Sequence, residues 1–382
     1  MLLLREHKAI DGYCSIGGLR ASSQTWSSNP LVSAERARRH RCKIEGHLHV
    51  HPGNANLMTS SLCCPKSIID PIIACLNHFR VSIPDRIAVG LSGGKDSTTL
   101  MLALRDLGVF VVPIIVDMGY ESFAASAIAH GSADLGFSPV VISARDSVSS
   151  LPTPEGRELS QNLDALGSDS LETPCGHCSR SKRLLLIHEA SRMQLAAFCL
   201  AHHREDLVTT LLKDFFVLRY HQQYGAFDRD RFRNFVTAEA IDLAALRQLV
   251  LSARASTMAV TLRESNSVSL LRPLAFVPEG KIEAFVASKR LPVFGSGCSH
   301  SIFQGVAGLK ATKREIVHSD LRRRLASEPT LGSELLELAL LALDPAGRPW
   351  ANPRSERSRM LPGFENENRK AGGGGTWRGH GA

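Results

Sequence analysis

Residues 87–99 read IAVGLSGGKDSTT. An apolar run ends in two glycines, a lysine and two serines, and a second apolar run, LMLAL over 100–104, follows at once. A strand that turns sharply into a helix leaves backbone N–H groups free at the helix start, where the helix dipole also favours an anion. Glycines let that backbone approach the anion closely. Ser92, Gly93, Gly94 and Ser97 supply N–H and hydroxyl donors, and Lys95 supplies a cation. The stretch is built for phosphate. It is not a Walker A loop, because the spacing G-x-x-x-x-G-K-[ST] is absent. An ordinary glycine turn with a capping Asp is the plain alternative, and the complete hexapeptide between strand and helix argues against it.

Outward from this point, apolar runs and helical patterns alternate. CPKSIIDPIIACLNHF over 64–79 reads as an amphipathic helix, IAVGLS as a buried strand, and KDSTTLMLALRDLG as a helix ending at Gly108. VFVVPIIVD over 109–117 is a second strand, ESFAASAIAHGSADLG over 121–136 a helix, and PVVIS over 139–143 a third strand. After a polar stretch, SRSKRLLLIHEASRM over 179–193 reads as a helix, QLAAFCLA over 194–201 as a fourth strand, and REDLVTTLLKDFF over 204–216 as the next helix. Strands alternating with helices predict an α/β fold, a parallel sheet with helices on both faces. The predicted organisation is a poorly structured extension over 1–64, an α/β domain over 65–218, and an irregular insertion or cap over 219–265. The remainder of the catalytic domain follows over 266–344, with a basic helix in KATKREIVHSDLRRRLASEP, and a disordered tail over 345–382.

The chain has 382 residues and a formal net charge of +8, which favours acidic partners such as nucleic acid. Only 6% of it is aromatic, which argues against a module that binds RNA by base stacking. Nine unevenly placed cysteines are too few for a disulfide scaffold and point to a reducing compartment, with some thiols kept for chemistry or metal. No apolar run is long enough to span a bilayer, so a cytoplasmic protein without membrane attachment is expected. The Arg- and Ser-rich segment over 19–41 has the composition of a transit peptide but includes Glu35, and is read as part of the unstructured extension. His40, Cys42, His47, His49 and His51 lack paired Cys-x-x-Cys spacing and are not read as a metal site.

The second specific stretch is ETPCGHCSRSKR over 172–183. Cys175 and Cys178 have the spacing that lets two thiolates share one metal or cluster, and a redox dithiol or half a zinc site remains open at this point. Arg180, Lys182 and Arg183 follow, where positive charge lowers thiol pKa values and attracts phosphate. Downstream, AHHREDL over 201–207 puts His202, His203 and Asp206 at a strand's end, where open α/β sheets bind ligands. Cys199, within AAFCLA, reads as a core side chain.

SGGKDS at 92–97 resembles the PP-loop of ATP pyrophosphatases, enzymes that split ATP into AMP and pyrophosphate. CGHC at 175–178, AHHREDL, RPLAFVPEGKIEAF at 272–285, LPVFGSGCSHS at 291–301 and the basic helix after Lys310 follow in the order found in the tRNA 2-thiolation branch. The chain most resembles the tRNA 2-thiocytidine synthetases, over roughly residues 66–340. Ala201 stands where that family has glycine, Glu205 where it has the first Asp of a pair, and Cys298 alone where it commonly has a Cys-x-x-Cys. MGYESF after Asp117 also departs from the family pattern.

The resemblance implies an ATP-dependent tRNA sulfurtransferase with ATP, Mg²⁺ and a [4Fe-4S] cluster as cofactors. It implies that Ser92, Gly93, Gly94, Lys95, Asp96 and Ser97 bind ATP and pyrophosphate, and that Asp96, Lys182 and Asp206 are catalytic. Cys175, Cys178 and Cys298 are the implied cluster ligands, leaving one iron open. A tRNA is the implied substrate, a cysteine desulfurase or another sulfur donor the upstream partner, and a homodimer one possible assembly. Three other readings stay open: a persulfide enzyme without a cluster, a PP-loop ligase with a nitrogen nucleophile, and a non-enzymatic RNA-binding protein with zinc. Asp117 is either a nucleotide contact or a turn carboxylate. His202 and His203 either cap a helix or join the chemistry, and Arg322, Arg323 and Arg324 either meet tRNA phosphates or form a solvated helix face.

Overall fold

The computed structural model describes residues 63–120, 123–151, 153–166, 174–263, 268–294, 312–344 and 347–348. Of the expected extension over 1–64 and tail over 345–382, residues 1–62, 345–346 and 349–382 lie outside them, as does Cys298.

The buried runs become strands β1 (Arg86–Gly90), β2 (Phe110–Asp117), β3 (Val140–Ser143) and β4 (Ala197–Cys199). Two further strands, β5 (Thr261–Arg263) and β6 (Ser269–Leu271), complete a six-stranded sheet of order β3-β2-β1-β4-β6-β5. Every pairing is parallel except β5 with β6. Side chains alternate between the faces, as a strand's period of two requires. Ile87, Val89, Val111, Ile115, Ala197, Cys199 and Leu271 fill one core, and Ala88, Val112, Ile114, Val116, Phe198 and Leu270 the other. Cys199 is fully buried, as its apolar neighbours predict, and burial pushes its thiol pKa far up.

Helices α1 (Lys66–His78) and α2 (Lys95–Asp106) cover the first face. Helices α3 (Ala125–Asp134), α4 (Thr153–Leu166) and α5 (Pro174–Arg192) follow, with α4 and α5 contributing to the second face. Helix α4 forms within the stretch read as merely polar; its buried Leu159 and half-buried Leu163 share one face at i, i+4.

The 219–265 stretch departs from the sequence expectation of irregular structure. Helix α6 (Arg204–Tyr224) runs on into it, followed by α7 (Arg229–Ala238) and α8 (Leu243–Leu251). The charged string RDRFRNFV conceals Phe232, Phe235 and Val236, three buried residues at helical spacing. They join Tyr220, Leu246 and the buried faces of α10 (Lys313–Ser327) and α11 (Leu331–Leu341) in a separate helical core. Between β6 and this unit lie a 3₁₀ turn (Pro273–Phe276) and α9 (Glu279–Lys289).

Candidate nucleotide site

The strand order reverses between β1 and β4, and in open parallel sheets ligands bind beyond the strand ends at such a point. The SGGKDS loop leaves β1 there and AHHREDL leaves β4, so the topology places the two motifs side by side.

The loop is held from within. Ser92 N–H donates to Ser97 Oγ (3.3 Å), the two hydroxyls are 3.2 Å apart, and Ser97 Oγ donates to the Gly94 carbonyl (3.1 Å). Gly93 has φ +77°, a left-handed conformation that glycine adopts without strain. Gly94 precedes the first turn of α2 with no side chain capping the helix start, so that end stays available to a ligand anion. A Cβ on Gly94 would meet only Ser92 Oγ, at 3.4 Å, and would project into this cradle.

His203 organises the carboxylates. Its Nε2 lies 3.6 Å from Asp206 Oδ2, 3.8 Å from Glu279 Oε1 and 4.0 Å from Asp96 Oδ1, and its Nδ1 lies 3.2 Å from Glu205 Oε2. Burial works against a charged imidazole here, but the surrounding carboxylates prevail and raise the His203 pKa. Burial likewise opposes charge on Asp206 and is overcome by His203, Arg314 and the His203 backbone N–H, which bring its pKa down to about 2. The Lys95 ammonium bridges Asp96 Oδ1 (3.0 Å) and Glu279 Oε1 (2.9 Å); these pairs outweigh burial and hold it charged. Glu279 is nearly buried, yet Lys95, His203 and His318 hold it ionised, well below the usual carboxylate range.

His202 differs from its neighbour. Burial and the adjacent Arg272 lower its pKa to about 3, and as a neutral ring its Nδ1 accepts a hydrogen bond from Arg272 Nε (3.0 Å). Arg272, from the RPLAFV segment, also donates to the Ala259 carbonyl and so ties β6 to the end of β4. His202 is therefore a structural acceptor, while His203 sits at the centre of the carboxylates.

Of the residues anticipated from sequence, Ser92–Ser97, Asp96 and Asp206 come together in one group. Glu205, which stands at the first position of the family's acidic pair, joins it, as do Glu279 and His318, which had not been singled out. The signal for Glu279 was an acid opening a helix directly after the RPLAFV stretch; its N–H donates to Glu205 Oε2 (2.8 Å). Asp117 accepts from Gly119 N–H (2.8 Å), as a turn carboxylate does.

Lys182 and Cys178 lie on α5, which runs antiparallel to the strands. Its Leu186 faces Gly90 at the end of β1, where an added Cβ would approach Leu186 Cδ1 to 3.1 Å. At 1.5 Å per residue, Lys182 stands about 6 Å and Cys178 about 12 Å farther along the helix. That direction leads past the strand ends that carry the SGGKDS loop. No described contact joins Lys182 to the carboxylate group. Cys178 is a free, half-buried thiol, one helical turn from position 175. Among the described residues no group of three or more His, Cys, Asp or Glu is arranged to hold a metal ion, and Cys298 lies outside them. No helix among them is long and apolar enough to cross a membrane.

The arginine run on α10 divides. Arg323 pairs with Asp320. Arg324 pairs with the same carboxylate and donates to the carbonyls of Val236 and Glu239, both at 2.8 Å, at the end of α7. Arg322 instead faces Glu283 (2.9 Å) and Glu279 (3.7 Å).

No protein-family model matches the chain. It is 26% identical over 222 residues to the tRNA-cytidine(32) 2-sulfurtransferase of Pelobacter propionicus, covering 56% of this chain and 64% of that protein. The chain thus spans just under two thirds of that relative's length. It is also 26% identical over 305 residues to the Deinococcus radiodurans protein of the same name, covering 74% of this chain and 86% of that protein. Among solved structures, the U34-tRNA thiolase NcsA of Methanococcus maripaludis, with its [4Fe-4S] cluster, is 17% identical with a TM-score of 0.46, covering 72% of this chain and 79% of that one. By sequence, this chain is similar to the tRNA-cytidine(32) 2-sulfurtransferases.

Proposed function

We propose that the protein is an ATP-dependent tRNA thiolase that replaces the C2 oxygen of a cytidine with sulfur. The observation that supports this most directly is the meeting of the SGGKDS loop, Asp96 and Asp206 around His203 at the strand-order reversal. In this reading Ser92, Gly93, Gly94, Lys95, Asp96 and Ser97 hold the nucleotide's phosphates, and Asp96 and Asp206 serve the Mg²⁺ that accompanies them. The cytidine carbonyl oxygen attacks the α-phosphorus and the bond to the β-phosphate breaks, releasing pyrophosphate. Lys95 stabilises the charge that develops on the leaving group. Sulfide then attacks C2, the C–O bond breaks, and the oxygen departs with AMP. Lys182 supplies a cation beside the reacting carbon.

Positions 175 and 178, one turn apart on α5, suit two ligands of a [4Fe-4S] cluster, and Cys298 is the candidate third ligand. Such a cluster, when bound through three cysteines, supplies an iron with an open position for sulfur. A cysteine desulfurase or another donor provides that sulfur, and the setting is cytoplasmic.

The test uses anaerobically purified, iron-reconstituted protein with ATP, Mg²⁺, sulfide and unmodified tRNA, followed by mass spectrometry of the nucleosides. A thiolated cytidine, with AMP and pyrophosphate formed alongside it, is expected. Cys178→Ala should lose iron and product while still binding ATP. Product formed at full rate by iron-free protein would replace the cluster with a persulfide, and the absence of any thiolated pyrimidine would overturn the reading.

A further inference from the structure

The stripe Arg314, His318 and Arg322 recurs every fourth residue along α10, so it forms one face of that helix. Ile316, Val317 and Leu321, which flank this stripe, are buried in the helical core. The charged face meets the nucleotide site: Arg314 pairs with Asp206, His318 Nε2 lies 3.5 Å from Glu279 Oε2, and Arg322 Nη1 lies 3.7 Å from Glu279 Oε1. Thr209 Oγ1, 3.1 Å from His318 Nδ1, fixes that ring from α6. Arg322 is thus one carboxylate away from the SGGKDS loop, through Glu279 to Lys95, and Arg314 is a carboxylate and an imidazole away, through Asp206 and His203 to Asp96.

We propose that Arg314 and Arg322 are polyphosphate contacts, which exchange their carboxylate partners for the β- and γ-phosphates when ATP binds. This rests on the nucleotide-binding reading above. Arg314 and Arg322 keep 46% and 49% of their side-chain surface exposed, although Asp206 and Glu279 are nearly buried. A half-exposed guanidinium–carboxylate pair has little net strength. A triphosphate carries more charge and matches the guanidinium fork in two-point geometry, so it competes well for these groups. The exchange also releases Asp206, the carboxylate assigned to the nucleotide's metal. His318 is a positioning residue for Glu279.

The test measures binding of ATP and of AMP, each with Mg²⁺, and of unmodified tRNA to full-length wild type, Arg314→Gln and Arg322→Gln by calorimetry. Thermal melting checks that each variant is folded. Losing one charged hydrogen-bonding group should weaken ATP about tenfold or more, with AMP changed less than about twofold. Tight tRNA binding should persist, and Arg314→Lys should recover part of the ATP affinity. Equal losses for ATP and AMP, unchanged ATP binding, or a loss confined to tRNA would overturn the proposal. Wild type that binds no ATP would remove the nucleotide reading as well, whereas ATP-binding wild type with unaffected variants removes the arginine contacts alone.

Discussion

Gly93→Ala and Gly94→Ala, one residue apart, should separate the fold from the site. At Gly93 the backbone holds φ +77°, and placing an L-residue there costs about 1–2 kcal/mol. An added Cβ would also fall 2.7 Å from Ile128 Cγ1, 2.8 Å from Ile128 Cδ1 and 3.2 Å from Phe294 Cβ. Ile128 is buried, and Phe294 N–H donates to the Gly93 carbonyl (2.9 Å), so neither the side chain nor the loop retreats freely. Overpacking of this kind adds about 1–3 kcal/mol, giving roughly 2–5 kcal/mol in all. Gly94 has φ −78°, which alanine adopts, and its added Cβ meets only Ser92 Oγ at 3.4 Å. Its stability should stay within about 1 kcal/mol of wild type, since the loss of a glycine cap and the gain from a stiffer unfolded chain oppose each other. The Cβ would nevertheless stand in the phosphate cradle. Urea unfolding should therefore show a lower midpoint at unchanged slope for Gly93→Ala only, while calorimetry shows weakened ATP binding for Gly94→Ala. A wild-type midpoint for Gly93→Ala, or wild-type ATP affinity for Gly94→Ala, would refute the loop geometry on which the site rests.

Two further perturbations probe the charges. His203 has a raised pKa in the folded protein, so it binds its proton more tightly there than in the unfolded chain. Its contribution to stability is complete below the unfolded value of 6.5 and is lost as pH rises through the folded one. The stability difference between wild type and His203→Gln, followed by urea unfolding, should shrink as pH climbs above 6.5; a difference that grew would reverse the assignment. Arg324→Ala removes the donor to Val236 and Glu239 and one of two guanidinium partners of the buried Asp320. It should destabilise the protein by about 1.5–3 kcal/mol while tRNA affinity changes little; the opposite pattern would return Arg324 to an RNA-binding face.

What the sequence determined by itself was whatever depends on near neighbours. Ile87 and Val89 against Ala88 encode the two faces of β1, and Gly93 encodes the turn. The apolar run after Lys95 encodes a helix starting where a phosphate would sit, because strand alternation and helix starts are local properties. The stretch around Phe232 was illegible for the converse reason: its few apolar residues are masked by charges and become a core only against α6 and α10. Tertiary structure decided the partners of the charges. Glu279 and Arg314 are remote in sequence from the carboxylates they join, and their roles exist only because β6 returns beside β4 and α10 lies on α6. His202 and His203, adjacent and alike in sequence, have their pKa values driven in opposite directions by what surrounds them. One is buried beside a guanidinium and the other among four carboxylates, and electrostatic energy depends on separation in space.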